Sequence, residues 1–159
     1  MKAVLKSSAG DSEVVIDLLH AQDYATETGF ESSVRIRGEH WDGDHTRSVE
    51  VLIEGLWLRT EDLEHLCSRL TGWVELPLAD LDPARLDGEF NLCHVPGQVL
   101  SFRFGHRPEV PSRRQPVVTI SSAAGALTGE FHFASDQSCL SAFRSELSLA
   151  LAAARPTRS

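Results

Sequence analysis

Cysteine is scarce: Cys67, Cys93 and Cys139 are odd in number and widely spaced, and no C-x-x-C pair occurs. A zinc knuckle or a dithiol redox motif is thereby excluded, and all three read as reduced thiols of a cytosolic protein, packed as small apolar residues. Long apolar runs are missing as well. Asp11 and Glu13 follow the opening residues too closely for a signal-peptide core, and no stretch has the length of a membrane span. Cations are in deficit, with 15 Lys and Arg against 23 Asp and Glu and a formal net charge of −8. That balance argues against nucleic acid, whose binders need Lys and Arg to displace phosphate counterions. The nucleophile motif G-x-S-x-G is absent, and no glycine pattern follows a strand and opens a helix, so no nucleotide or other cofactor motif is present.

What remains is ordinary globular material. At 159 residues and 42% hydrophobic content the chain can bury one core, and no break in composition divides it, so residues 1–159 are expected to form a single domain. The charge is unevenly placed. Residues 1–89 hold 19 acids and 8 bases, net −11, whereas residues 90–159 hold 4 acids and 7 bases, net +3. An acidic first portion either keeps the protein soluble or attracts a basic partner.

Two segments carry helix periodicity. From about 61 to 71, Leu63, Leu66, Cys67 and Leu70 form one stripe, with Thr60 as cap, Glu61 and Asp62 in the first turn and Gly72 as the stop. From about 136 to 153, Leu140, Phe143, Leu147, Ala150 and Leu151 do the same after Ser135 or Asp136. Trp57 and Trp73 bracket the first helix as core residues that pin it to a sheet.

The rest alternates as strands do, with short strands also expected near residues 3–6, 14–19 and 73–78. Ser33–Glu39 and Arg47–Leu58 form a hairpin if Asp42-Gly43 is a two-residue turn. That register sets His40 opposite His45, Ile36 opposite Val49, Arg35 opposite Glu50 and Val34 opposite Val51, with Val49, Val51, Ile53 and Trp57 on one face. A second hairpin spans Gly88–Gly105 around Pro96-Gly97, in the register that sets Phe102 and Phe104 opposite Leu92 and Phe90. Val117–Ser121 and Leu127–Ala134 make a third pair, and Gly105–Pro116, with three prolines, is a loop. No internal repeat emerges, although a strand runs into a capped helix twice. The fold class is α+β: mainly antiparallel sheet, sandwich-like or strongly curved, built from hairpins with two amphipathic helices.

The densest set of possible ligands is Glu39-His40-Trp41-Asp42-Gly43-Asp44-His45. His40 and His45, if opposite, approach closely enough to share a transition metal, but a metal centre wants three or four converging groups, and a hairpin tip wants Asp and Gly for geometry alone. Trp41, among Asp42 and Asp44, is placed as an anchor for a partner; its other reading is a ring folded back over the hairpin. Cys93 and His94, adjacent on a strand, point to opposite faces and make no thiol-imidazole pair.

The runs Val49-Glu50-Val51-Leu52-Ile53 to Leu58, Thr60-Glu61-Asp62-Leu63-Glu64-His65-Leu66, Leu70-Thr71-Gly72-Trp73-Val74-Glu75-Leu76, and Gly129-Glu130-Phe131-His132-Phe133 to Leu147 resemble those of WapI-type bacterial toxin-immunity proteins and related small bacterial proteins. The resemblance implies a non-enzymatic cytoplasmic protein that blocks a cognate toxin, and it transfers no catalytic motif. Two expectations follow. One is a binding protein that sequesters a basic protein through acidic residues around Trp41, Asp42 and Asp44, with homodimerisation through a strand edge as an added option. The alternative is a small ligand-binding or metal-assisted enzyme domain with its site at His40 and His45.

Overall fold

Among the described residues, four strands precede each helix. In the computed structural model, β1 (Lys2–Lys6), β2 (Ser12–Tyr24), β3 (Glu27–Trp41) and β4 (Thr46–Arg59) lead into α1 (Thr60–Glu75). Then β5 (Gly88–Asn91), β6 (Gln98–Gly105), β7 (Val117–Ala124) and β8 (Leu127–Ala134) lead into α2 (Gln137–Ala154). The structure describes residues 1–24, 27–41, 45–75, 88–91, 98–105, 117–124 and 127–154. Outside these lie the expected turns at Asp42-Gly43 and Pro96-Gly97, the loop after Gly105, and Cys93 and His94. Each strand set forms an antiparallel sheet in chain order, β1-β2-β3-β4 and β5-β6-β7-β8. The chain is therefore α+β, with mainly antiparallel sheet, and among the described residues the order ββββα occurs twice, a repeat of elements that the sequence itself does not display.

Inside the first sheet, alternation sorts side chains cleanly. Leu5, Val14, Ile36 and Val51 pair in one row across the four strands, and Ala3, Ile16, Val34 and Ile53 in the next. These rows are buried or partly buried and join one hydrophobic cluster with Leu63, Leu66 and Leu70 of α1, Leu140, Phe143 and Leu147 of α2, and Leu100, Phe102 and Phe133 of the second sheet. Phe102 and Phe143 stack at 6.3 Å between centroids, which ties the second sheet to α2.

Two registers differ from the sequence expectation by two residues, a shift that by itself preserves facing, and the side chains of β4 up to Ile53 keep their expected faces. Ile36 pairs with Val51 rather than Val49, Val34 with Ile53, Arg35 with Leu52, and Arg37 with Glu50. The last described pair is Trp41 with Thr46, so the register is not centred on Asp42-Gly43. In the second hairpin Phe102 pairs with Phe90 rather than Leu92, and Phe104 with Gly88 rather than Phe90.

Two bulges cross the first sheet at one level of β3. On β2, Leu18 pairs with Ser32 and His20 with Glu31, so Leu19 is extra; on β4, Ser32 pairs with Leu56 and Val34 with Ile53. Gly55 lies in that second bulge at φ +68°, a conformation that side chains resist. The extra residue reverses the alternation of β4, so Leu56 and Leu58 take over the core face and Trp57 turns away from it. Trp57 thus does not pin α1 as expected; its ring lies over Gly29, where a β-carbon would come within 2.6 Å of the indole.

Helix α1 runs through Gly72 instead of ending there, which also makes Trp73–Glu75 helix rather than strand. Its last turn is held from outside: Gln137 Nε2 donates to the Val74 carbonyl at 2.9 Å, and Arg144 reaches Thr71 Oγ1 at 3.3 Å and Glu75 Oε1 at 3.6 Å. Such tertiary contacts override a local stop signal. At the start of α2 the cap is Asp136, whose Oδ1 accepts from the Cys139 N–H at 2.9 Å and from Ser138 Oγ at 2.6 Å. Both bonds favour the charged carboxylate, the Ser138 bond most, and hold its pKa below the usual aspartate value. Ser135, the other expected cap, donates instead to the Lys6 carbonyl.

Candidate functional site

At the hairpin tip the register departs from the expected one. His40 pairs with Arg47 and Trp41 with Thr46, so His40 and His45 are not opposite. Asp42 and Asp44 lie outside the described residues. Among the described residues no group of three or more His, Cys, Asp or Glu is placed to hold a metal ion. Cys67 and Cys139 are free thiols, and burial pushes both pKa values up, away from the reactive thiolate. Arg59, bound to Asp62 at 2.7 Å and to Glu27 at 3.1 Å, is held still more firmly protonated by its carboxylate partners, Asp62 first.

A cleft of about 220 Å³ opens where the Ser12, Gly38 and Val49 end of the first sheet meets Phe131 and Phe133 of β8. Its volume falls short of the ~300–1,000 Å³ usual for small-molecule sites, although Ser12, Arg37, Glu39 and His132 are among its lining residues.

The face of the first sheet away from the core carries more organised chemistry. Lys6 pairs with Glu13, Glu13 with Arg37 and Arg37 with Glu50, so one row across four strands reads plus, minus, plus, minus. Each charge has an opposite neighbour, the arrangement that cross-strand pairing favours. The adjoining row is Val4, Val15, Arg35 and Leu52. Val15 is buried, while Leu52 at the end of the row is 56% exposed.

The two edges of this sheet differ. Along β1, α2 closes the edge: Glu146 Oε2 accepts the Val4 N–H at 2.7 Å, Ser135 Oγ donates to the Lys6 carbonyl at 2.9 Å, and just beyond, the Ser8 N–H donates to the Ala134 carbonyl of β8 at 2.9 Å. Along β4 every residue from Thr46 to Glu50 is exposed, as are Leu52 and Glu54, and among the described residues no strand lies beyond it. Val49, at 45%, and Leu52 are two of the large exposed apolar side chains. Sequence reasoning does not single out Glu50, Leu52 or Val49 as site residues. The signals are present: Gly55 inside a strand marks a bulge, and Arg35 and Arg37 alternating opposite Glu50 mark a charge row.

No protein-family model matches the chain, and no curated protein does. Among solved structures, one described as the plant transcriptional regulator PBF-2 is similar with a TM-score of 0.50 and 8% identity, over 95% of this chain and 80% of that one. At that identity the likeness is one of fold. Among the described residues no helix is long and apolar enough to cross a membrane.

Proposed function

We propose that this chain is a non-enzymatic binding protein that takes a basic protein partner on the β4 side of its first sheet. The observation that carries this reading is an exposed edge strand on which acidic Glu50 and Glu54 alternate with apolar Val49 and Leu52. Complementary charge speeds encounter and selects partners, while apolar neighbours at the centre supply contact energy. The resemblance to toxin-immunity proteins narrows the partner to a cationic toxin domain. The acidic excess of residues 1–89 supports the same sign of partner. Transcriptional regulation, the role named for the plant protein, gains little support from a net charge of −8, which opposes direct contact with phosphates.

The test is retention of purified basic domains, beginning with any toxin domain encoded beside the gene, by the immobilised protein at low and at high salt. Retention that weakens with salt and is lost in Glu50→Lys supports the reading. Failure of every basic domain to bind at low salt removes it.

A further inference from the structure

Resting on that reading, we infer that the partner docks as an added β-strand along the edge of β4, beyond which no strand lies among the described residues, with a Lys or Arg opposite Glu50 and an aliphatic residue opposite Leu52. The charge row Lys6, Glu13, Arg37, Glu50 alternates without exception and stops on a carboxylate at the open edge. A fifth strand continues the alternation only if it brings a cation there. One row along, Val4, Val15, Arg35 and Leu52 end on an exposed leucine, and an aliphatic side chain opposite it removes that surface from water. On the other face, Val49 and Val51 ask for aliphatic neighbours too. Backbone hydrogen bonds along the edge supply the common part of the affinity, and the side chains on alternate positions supply the choice.

A second copy of this chain is the competing occupant, and its charge pattern disfavours it. Two β4 edges related by a two-fold axis perpendicular to the sheet pair even-numbered residues with even-numbered ones. The even positions of this strand are Thr46, Ser48, Glu50, Leu52 and Glu54, which hold no cation. Every such register sets Glu50 against another acid, a neutral polar group or leucine. In an antiparallel partner the recognition pattern is therefore aliphatic, any residue, then cation, read from its N-terminus.

The probe is the blocked peptide Thr-Val-Val-Lys-Val-Thr, with a second peptide carrying Glu in place of Lys. Amide hydrogen exchange and chemical-shift mapping on the full chain are read with each, in the native protein and in Glu50→Lys. The expected result is protection of amides between Thr46 and Ile53, a preference for the Lys peptide of roughly fivefold, and reversal of that preference in Glu50→Lys. No protection on β4 at millimolar peptide, or a preference that Glu50→Lys leaves unchanged, overturns the inference. So does a dimer of the native chain in sedimentation that Leu52→Lys dissolves and the peptide cannot displace, because the edge then belongs to a second copy. A basic domain that binds the native chain but leaves β4 unprotected also overturns this docking mode while sparing the wider reading. Absence of any basic binding partner removes the wider reading whatever the peptides do.

Discussion

β1 and β4 are the two outer strands of the same sheet, yet their hydrogen-bonding edges meet different surroundings. β1 is five residues long and is sealed by α2, which sets a carboxylate, Glu146, on the Val4 N–H. β4 is fourteen residues long, carries exposed aliphatic side chains, and has no such cover among the described residues. Exposed edges invite unwanted pairing, and proteins that leave one long and apolar either guard it or use it. On the face away from the core the guard consists of acidic side chains, Glu50 and Glu54, which repel a like-charged strand and favour a basic one, while Arg47 lies at an odd position on the other face.

The contrast breaks most severely if the covering helix loses its anchor. Phe143 is fully buried and stacked on Phe102, so Phe143→Ala is expected to cost about 3–5 kcal/mol in denaturant unfolding. Amide exchange should then speed at Val4 far more than along β4. On the open side, Gly29→Ala puts a methyl group 2.6 Å from the Trp57 ring and 2.7 Å from the Leu58 carbonyl, for a loss of about 1–3 kcal/mol. Trp57→Leu in the same chain should restore only part of that loss, since the carbonyl stays in place.

Removing the cap of the covering helix, Asp136→Ala, is expected to cost about 1 kcal/mol near neutral pH. The sign with pH follows from the depressed pKa of Asp136. Its contribution is fully present above the ordinary aspartate value and fades as pH falls through the lower folded value. Unfolding curves of the native chain and Asp136→Ala should therefore converge in acid and separate toward neutrality. The smallest effect belongs to Glu146→Ala, roughly 0.5–1 kcal/mol for one exposed hydrogen bond, visible as faster exchange at Val4.

Much of this contrast is legible in the residues, and some of it is not. Alternation in Val34-Arg35-Ile36-Arg37 fixes which side chains share a face, and the structure keeps that assignment even where the partner residues shift by two. Shifts of two preserve facing, so hydrophobic pattern cannot detect them; only loop length does, and loop length needs the turn conformation. Helix α1 outruns Gly72 because Gln137 and Arg144, more than sixty residues away in sequence, hold its last turn. The reversal of Trp57 depends on one extra residue at Gly55, which a search for strict period-two alternation passes over. The expected site at Trp41, Asp42 and Asp44 rests on composition at a hairpin tip. The row that ends on Glu50 instead requires three registers at once, and no stretch of contiguous sequence contains it.

The crease made by Leu19 and Gly55 also sets a measuring length. Past Ile53 the edge of β4 changes direction and its side chains exchange faces, so a straight visitor laid along it from Thr46 runs out of matching surface after eight residues, roughly 26 Å. Longer ligands would have to kink in step with the sheet or leave their remainder hanging in solvent.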